Sequence, residues 1–187
     1  MKNIPRTALL LVDVIEGFFS ESGSLYYPEV VAVVEPMRRL LRAARERRRL
    51  VVHAVERHHP GLKDFEHQRI PPHFMAGDPD ARYFEDFRPS GEENEVEVVK
   101  RRYSAFYATD LDLLLREQGV DTLVVAGVKT NVCIRATIQD AFAAGYRAIL
   151  PREATNSNRP HLAAASLEDI DRYFGEVVGI ERALELL

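Results

Sequence analysis

The chain alternates short, continuous apolar runs with longer stretches of helical spacing. Residues 7–14, TALLLVDV, are almost wholly apolar, the pattern of a strand covered on both faces as in a parallel sheet. Asp13 stands at the C-terminal end of that run. The following IEGFFSESGSLYYPE reads as loop, with Gly17, Gly23 and Pro28 as breakers. Val30 to Arg48 predicts a helix, with Pro36 in its first turn or at a kink. Leu50 to Val55 predicts a second strand, ending near His53 and Glu56, and Glu95 to Val99 a third, ending at Lys100. A helix from Thr109 or Asp110 to Gln118 is stopped by Gly119. Thr122 to Ala126 is a fourth, β-branched strand, which Gly127 breaks. Helical spacing resumes near Asn131, with Val132, Ala136, Ile138, Phe142 and Ala143 on the apolar face and Gly145 at its end. Arg147 to Leu150 predicts a fifth strand, Pro160 or His161 to Tyr173 a helix, Glu176 to Gly179 a short sixth strand, and Ile180 to Leu187 a terminal helix.

Strands alternating with helices predict an α/β fold with a mostly parallel sheet and helices on both faces. One region breaks the alternation. Residues 57–95 hold Pro60, Pro71, Pro72, Pro79 and Pro89, four histidines, and Tyr83, Phe84 and Phe87. They lack the apolar periodicity of a second core, and a loop this long is uncommon unless it is functional. The region reads as a substrate-covering segment, with a short helix of its own, inside a single domain spanning 1–187.

Composition narrows the class. The chain has 187 residues, 46% of them apolar and 29% charged, which suits one soluble domain with a full core. A single cysteine excludes an internal disulfide and a cysteine-rich zinc site, and is compatible with a reducing compartment. Lys2 to Thr7 runs directly into a strand-like run, so no leader is read there, and no apolar stretch reaches membrane-spanning length. A cytoplasmic location is therefore expected. A net charge of −4 argues against bulk nucleic-acid binding. Seven arginines fall between positions 38 and 49, but no aromatic residues interleave them. They read as a solvated, partly ion-paired helix face rather than a nucleic-acid patch. Of the 25 basic residues only four are lysines (Lys2, Lys63, Lys100 and Lys129), which leaves 21 arginines.

Candidate chemistry gathers at strand ends. Ligands of such sheets bind at the carboxyl ends of the strands. Asp13 ends the first strand, Lys100 ends the third and Cys133 follows the fourth, so the three are expected at one rim. A nucleophilic thiol needs a base and a cation, and an aspartate beside a lysine supplies both. At the start of a helix, free N–H groups and a partial positive charge are expected to lower the Cys133 pKa. Singly, each residue has a bland reading: a turn cap, a surface cation, a small core residue.

LLLVDVIEGFF around Asp13, VVKRRYSAF around Lys100 and VVAGVKTNVCIRATIQDAFAAGY around Cys133, in this order, resemble the isochorismatase-like cysteine hydrolase superfamily, amidohydrolase branch. The resemblance implies a three-layer sandwich with a six-stranded parallel sheet, a catalytic set of Asp13, Lys100 and Cys133, and a homo-dimer or homo-tetramer. It also implies a non-proline cis peptide at Val128–Lys129. That bond would aim the Lys129 and Cys133 amides at a substrate oxyanion, with Thr130 in the same turn. Phe18, Tyr103, Phe106 and Tyr107 are candidate walls of the substrate pocket, and an arginine of RRYSAF a candidate partner for a substrate carboxylate. The expected reaction is hydrolysis of a small amide or ureido C–N bond through an acyl-Cys133 intermediate, with carbamoyl or ureido acids as the preferred class. Enol-ether hydrolysis, a nicotinamidase-like reaction or a non-catalytic binding role on the same fold are the alternatives. Glu16 stands where the family often has Asn. Nicotinamidases carry an Asp–His–His metal site in a pattern with a Trp. This chain has no Trp, and His53, His58, His59 and His67 do not match that pattern, so no metal or other cofactor is expected.

Overall fold

A computed structural model describes residues 6–187; Lys2 to Pro5, the start of the segment read above as lacking a leader, lie outside the described residues. Strand β1 is Thr7–Val12, β2 Val51–Glu56, β3 Glu95–Lys100, β4 Thr122–Val128, β5 Arg147–Pro151, β6 Thr155–Asn156 and β7 Glu176–Val178. Their order across the sheet is β3-β2-β1-β4-β5-β7, with the two-residue β6 pairing on β4. Every strand pair is parallel. The expected six-stranded parallel sheet is thus present, extended by β6, which is too short to leave a sequence signal.

Alternation along each strand feeds two cores. Leu9, Leu11, Val51, Val55, Val124 and Ala126 face one side, where α2 (Val34–Glu46) and α6 (Ile180–Leu186) pack after the short α1 (Glu16–Phe19). Ala8, Leu10, Val12, Val52, Ala54 and Val125 face the other. That side is covered by α3 (Leu111–Glu117), by α4 (Arg135–Ala143), and by a turn continuing α5 (Pro160–Asp169), which contributes Ile170. Pro36 lies in the first turn of α2, where its missing N–H costs nothing. The arginines of this helix are ion-paired: Arg38 with Glu35, Glu85 and Asp86, Arg39 with Glu181, and Arg45 with Glu95.

One sequence reading needs correction. Gly127 does not end the fourth strand, which runs on to Val128. It pairs with Val12, and a Cβ there would fall 2.0 Å from the Val12 carbonyl oxygen. The glycine, at φ 127°, permits close strand approach rather than a break. The short helix expected within residues 57–95 is of 3₁₀ type, at Glu66–Gln68 and again at Pro79–Ala81. Phe74 and Phe87 of this segment are fully buried in the α2 side core, which ties it to the sheet.

Candidate active site

Strand alternation and strand order place the polar residues. Val52, Ala54 and Glu56 share one face of β2, and Val96, Val98 and Lys100 share one face of β3. Both sequences end on that face at the same level, because Glu56 pairs with Lys100 across the ladder. Asp13 follows Val12 and departs from strand geometry, with φ 56°. Aspartate tolerates this left-handed region better than most residues. Its N–H donates to the Ala54 carbonyl and its Oδ1 accepts from the Glu56 N–H at 2.8 Å. The carboxylate is thereby fixed over the end of β2.

Cys133 arrives from the other side of the rim. β4 ends in a cis Val128–Lys129 peptide, and a π-type turn, Thr130–Ile134, carries the cysteine into α4. The Thr130 hydroxyl is fully buried and bonds Thr155 of β6 at 2.8 Å. It anchors the turn and does not line the cavity.

Asp13, Lys100 and Cys133 are brought together. Lys100 Nζ lies 2.8 Å from Asp13 Oδ2 and 3.6 Å from Cys133 Sγ. The Asp13 and Glu56 carboxylates and the sulfur all lie within 4.8 Å of one another. Glu56 is the member that sequence reasoning missed. Its Oε2 accepts from Lys100 at 3.0 Å and stands 3.9 Å from the sulfur. Its Oε1 lies 3.0 Å from Nε2 of both His58 and His73. Its strand-end position, with the parity of Lys100 on β3, was the available signal.

These groups set one another's charge. Burial opposes the Lys100 ammonium, but Asp13, Cys133 and Glu56 raise its pKa well above the usual lysine range, so it stays charged. Burial also opposes ionised Glu56, yet Lys100, His58 and His73 hold its pKa well below the carboxylate range. Burial raises the Asp13 pKa against the pull of Lys100, and Glu56 adds to the rise. The expectation of a depressed Cys133 pKa is overturned. Burial pushes the thiol well up, Lys100 works against this, and Asp13 and Glu56 reinforce it. A helix terminus cannot offset complete burial beside two carboxylates. The surroundings of the sulfur therefore favour the thiol over the thiolate.

A small cavity of about 60 Å³ opens over Cys133. Phe18, Tyr103, Val132 and Lys129 line it, with Ile70, His73 and Phe74 supplied by the 57–95 segment. Two of the expected wall residues are elsewhere. Phe106 packs its ring 5.7 Å from that of Tyr146 in the α3–α4 core. Tyr107 is exposed and lines a separate outer groove. Arg101 and Arg102 also line that groove and are paired with Asp64, so neither arginine enters the Cys133 cavity.

The long segment gathers histidines that are dispersed in the sequence. Donor atoms of Glu56, His58, Glu66 and His73 lie within 4.8 Å of one another, as do those of His58, His67 and His73. Both Glu66 carboxylate oxygens and His67 Nε2 are buried without a hydrogen-bond partner. Imidazoles with carboxylates suit a borderline divalent cation such as zinc or iron(II), and the orphaned oxygens are what such an ion would satisfy. The residues therefore fit a metal, although none of these histidines matches a ligand motif in the sequence.

Comparison with known proteins agrees with this architecture. The Isochorismatase domain family model matches residues 7–182. Maleamate amidohydrolase of Pseudomonas putida is 37% identical, covering 97% of this chain and 87% of its own. N-carbamoylsarcosine amidase of an Arthrobacter species is 28% identical, covering 97% of this chain and 71% of its own. The crystal structure of a cysteine hydrolase from Pseudomonas syringae pv. phaseolicola 1448A superposes with a TM-score of 0.90 at 30% identity, covering 98% of this chain and 93% of that one.

Proposed function

From the membership of this chain in the isochorismatase family, we propose that it is a cysteine amidohydrolase that cleaves the C–N bond of a small amide or ureido compound. The observation that carries the reading is a buried thiol 3.6 Å from a charged lysine, within 4.8 Å of an aspartate, at the floor of a small cavity.

Burial favours the thiol over the thiolate, so its proton leaves as the sulfur attacks. Asp13, its pKa raised by burial, is the base that takes it. The sulfur bonds to the carbonyl carbon, and the carbonyl π pair moves onto oxygen, where the Lys129 and Cys133 backbone amides receive it. Lys100 balances the negative charge as it grows on sulfur. Collapse of the tetrahedral adduct breaks the C–N bond while Asp13 returns its proton to the departing nitrogen. Water then attacks the carbonyl carbon of the thioester while Asp13 takes one of its protons; the C–S bond breaks, Asp13 returns the proton to the sulfur, and the acid leaves. Glu56 acts through Lys100 and is a positioning residue. A divalent cation held by Glu56, His58, Glu66 and His73 would supply a Lewis acid beside the cavity.

Among the described residues no helix is long and apolar enough to cross a membrane, and a reduced thiol suits the cytoplasm. Cys133→Ala tests the central assignment. Ammonia release from a panel of small amides and ureas should vanish while circular dichroism and Tm are kept. Turnover that survives in a preparation free of parent enzyme overturns it.

A further inference from the structure

Lys129 is the cation of the cavity lining that has no carboxylate partner. Its side chain is half-buried, with Nζ 5.1 Å from the Tyr27 ring centroid and 5.6 Å from that of Phe18. Among the described residues no carboxylate lies within ion-pair distance of it. Burial lowers its pKa; the Cys133 sulfur opposes this fall and the Arg159 cation adds to it. Lys100, by contrast, is saturated by Asp13, Glu56 and the Arg102 carbonyl.

A partly desolvated ammonium with no counter-charge is costly, unless a ligand brings that charge. The other ionisable acids of the lining, Glu56 and Glu66, repel an anion. Among the side chains of the lining, Lys129 is therefore the favourable place for a carboxylate. RRYSAF offers no rival, because Arg101 and Arg102 are turned onto Asp64 outside it. In a chain with four lysines against 21 arginines, two of the lysines flank this cysteine.

We propose that Lys129 selects the substrate: its ammonium receives the carboxylate of a short amide or ureido acid whose scissile carbonyl lies against Cys133. This rests on the amidohydrolase reading. The Lys129 N–H is one of the two amides assigned to the oxyanion, so the anion lies one lysine side chain away from the reacting carbonyl. That geometry restricts the class to acids with few bonds between carboxylate and amide.

The test compares acids with neutral analogues: succinamate and 3-ureidopropanoate against pentanamide and propylurea. The parent should favour the acids in kcat/KM, and Lys129→Met should lower the acid-to-neutral ratio by about 10- to 100-fold, the range of one charge-assisted hydrogen bond. Lys129→Arg, which keeps the charge, should restore most of the ratio. An unchanged ratio in Lys129→Met, including equal losses on both classes, overturns the proposal and leaves Lys129 as packing for Phe18 and Tyr27. A parent inactive on all four compounds counts against the amidohydrolase reading instead. Succinate binding by calorimetry then decides the site by itself: loss of binding in Cys133→Ala/Lys129→Met relative to Cys133→Ala supports it, and equal binding refutes it.

Discussion

Replacing Glu56 by glutamine should make the buried cysteine more reactive, not less. The substitution keeps the side-chain shape and removes one negative charge 3.9 Å from the sulfur. At an effective dielectric constant of about 20, two unit charges at that distance repel by about 4 kcal/mol, equivalent to about 3 pH units on the thiol. Local relaxation reduces this, so a downward shift of about 1–3 units is expected. Thiolate nucleophilicity falls with pKa and offsets nearly half of the gain. Alkylation by iodoacetamide at pH 7 should therefore accelerate by about 4- to 40-fold. The same change breaks a buried ion pair with Lys100, which costs about 3–5 kcal/mol and lowers Tm by about 6–20 °C in a chain of this size. Rates are therefore read well below the variant's Tm, with chelator present. A loosened fold would raise the rate at every pH alike, whereas loss of the charge moves the midpoint of the pH–rate curve downward. A folded Glu56→Gln protein whose midpoint stays put or moves up refutes the assignment of charges at this rim.

In the parent enzyme without substrate, alkylation of Cys133 should keep rising beyond pH 9, because its folded pKa lies above the ordinary thiol value; a rate already flat between pH 6 and 8 would mean a preformed thiolate. Equimolar zinc should be retained after dialysis and raise Tm, and Glu66→Ala should lose both effects; a parent that retains none removes the metal reading. Gly127→Ala should cost several kcal/mol, about the limit that a marginally stable domain tolerates, because its Cβ would meet the Val12 carbonyl at 2.0 Å. A soluble Gly127→Ala protein with parental Tm contradicts the close approach of β1 and β4.

The strands were legible because β1, β2 and β4 are buried on both faces and their apolar runs are nearly unbroken. Asp13, Lys100 and Cys133 were legible because each stands at or beyond a strand end, where chain order alone predicts the rim. Glu56 has the same signature, but its part depends on β2 lying between β1 and β3, a lateral relation that no periodicity records. His58 and His73 meet only because the irregular path of residues 57–95 returns to β2, and an irregular path leaves no pattern. Phe106 and Tyr107 follow β3 in a bend-rich stretch, where side-chain direction has no period to read. The thiol pKa was misjudged because a helix start is a local feature, while burial beside two carboxylates is a tertiary one.

The charged rim also bears on how the strands find their alignment. β1 carries apolar residues on both faces, so sliding it by one position would exchange one greasy surface for another at little cost. Hydrophobic patterning is a poor ruler for such a strand. Any slip would, however, strand Lys100, Glu56 or Asp13 in the interior without its counter-ion, at a penalty far larger than a misplaced methyl group. The groups assigned to bond cleavage are then also the marks by which the sheet is correctly threaded, and a titration of active sites would count the molecules in which threading succeeded.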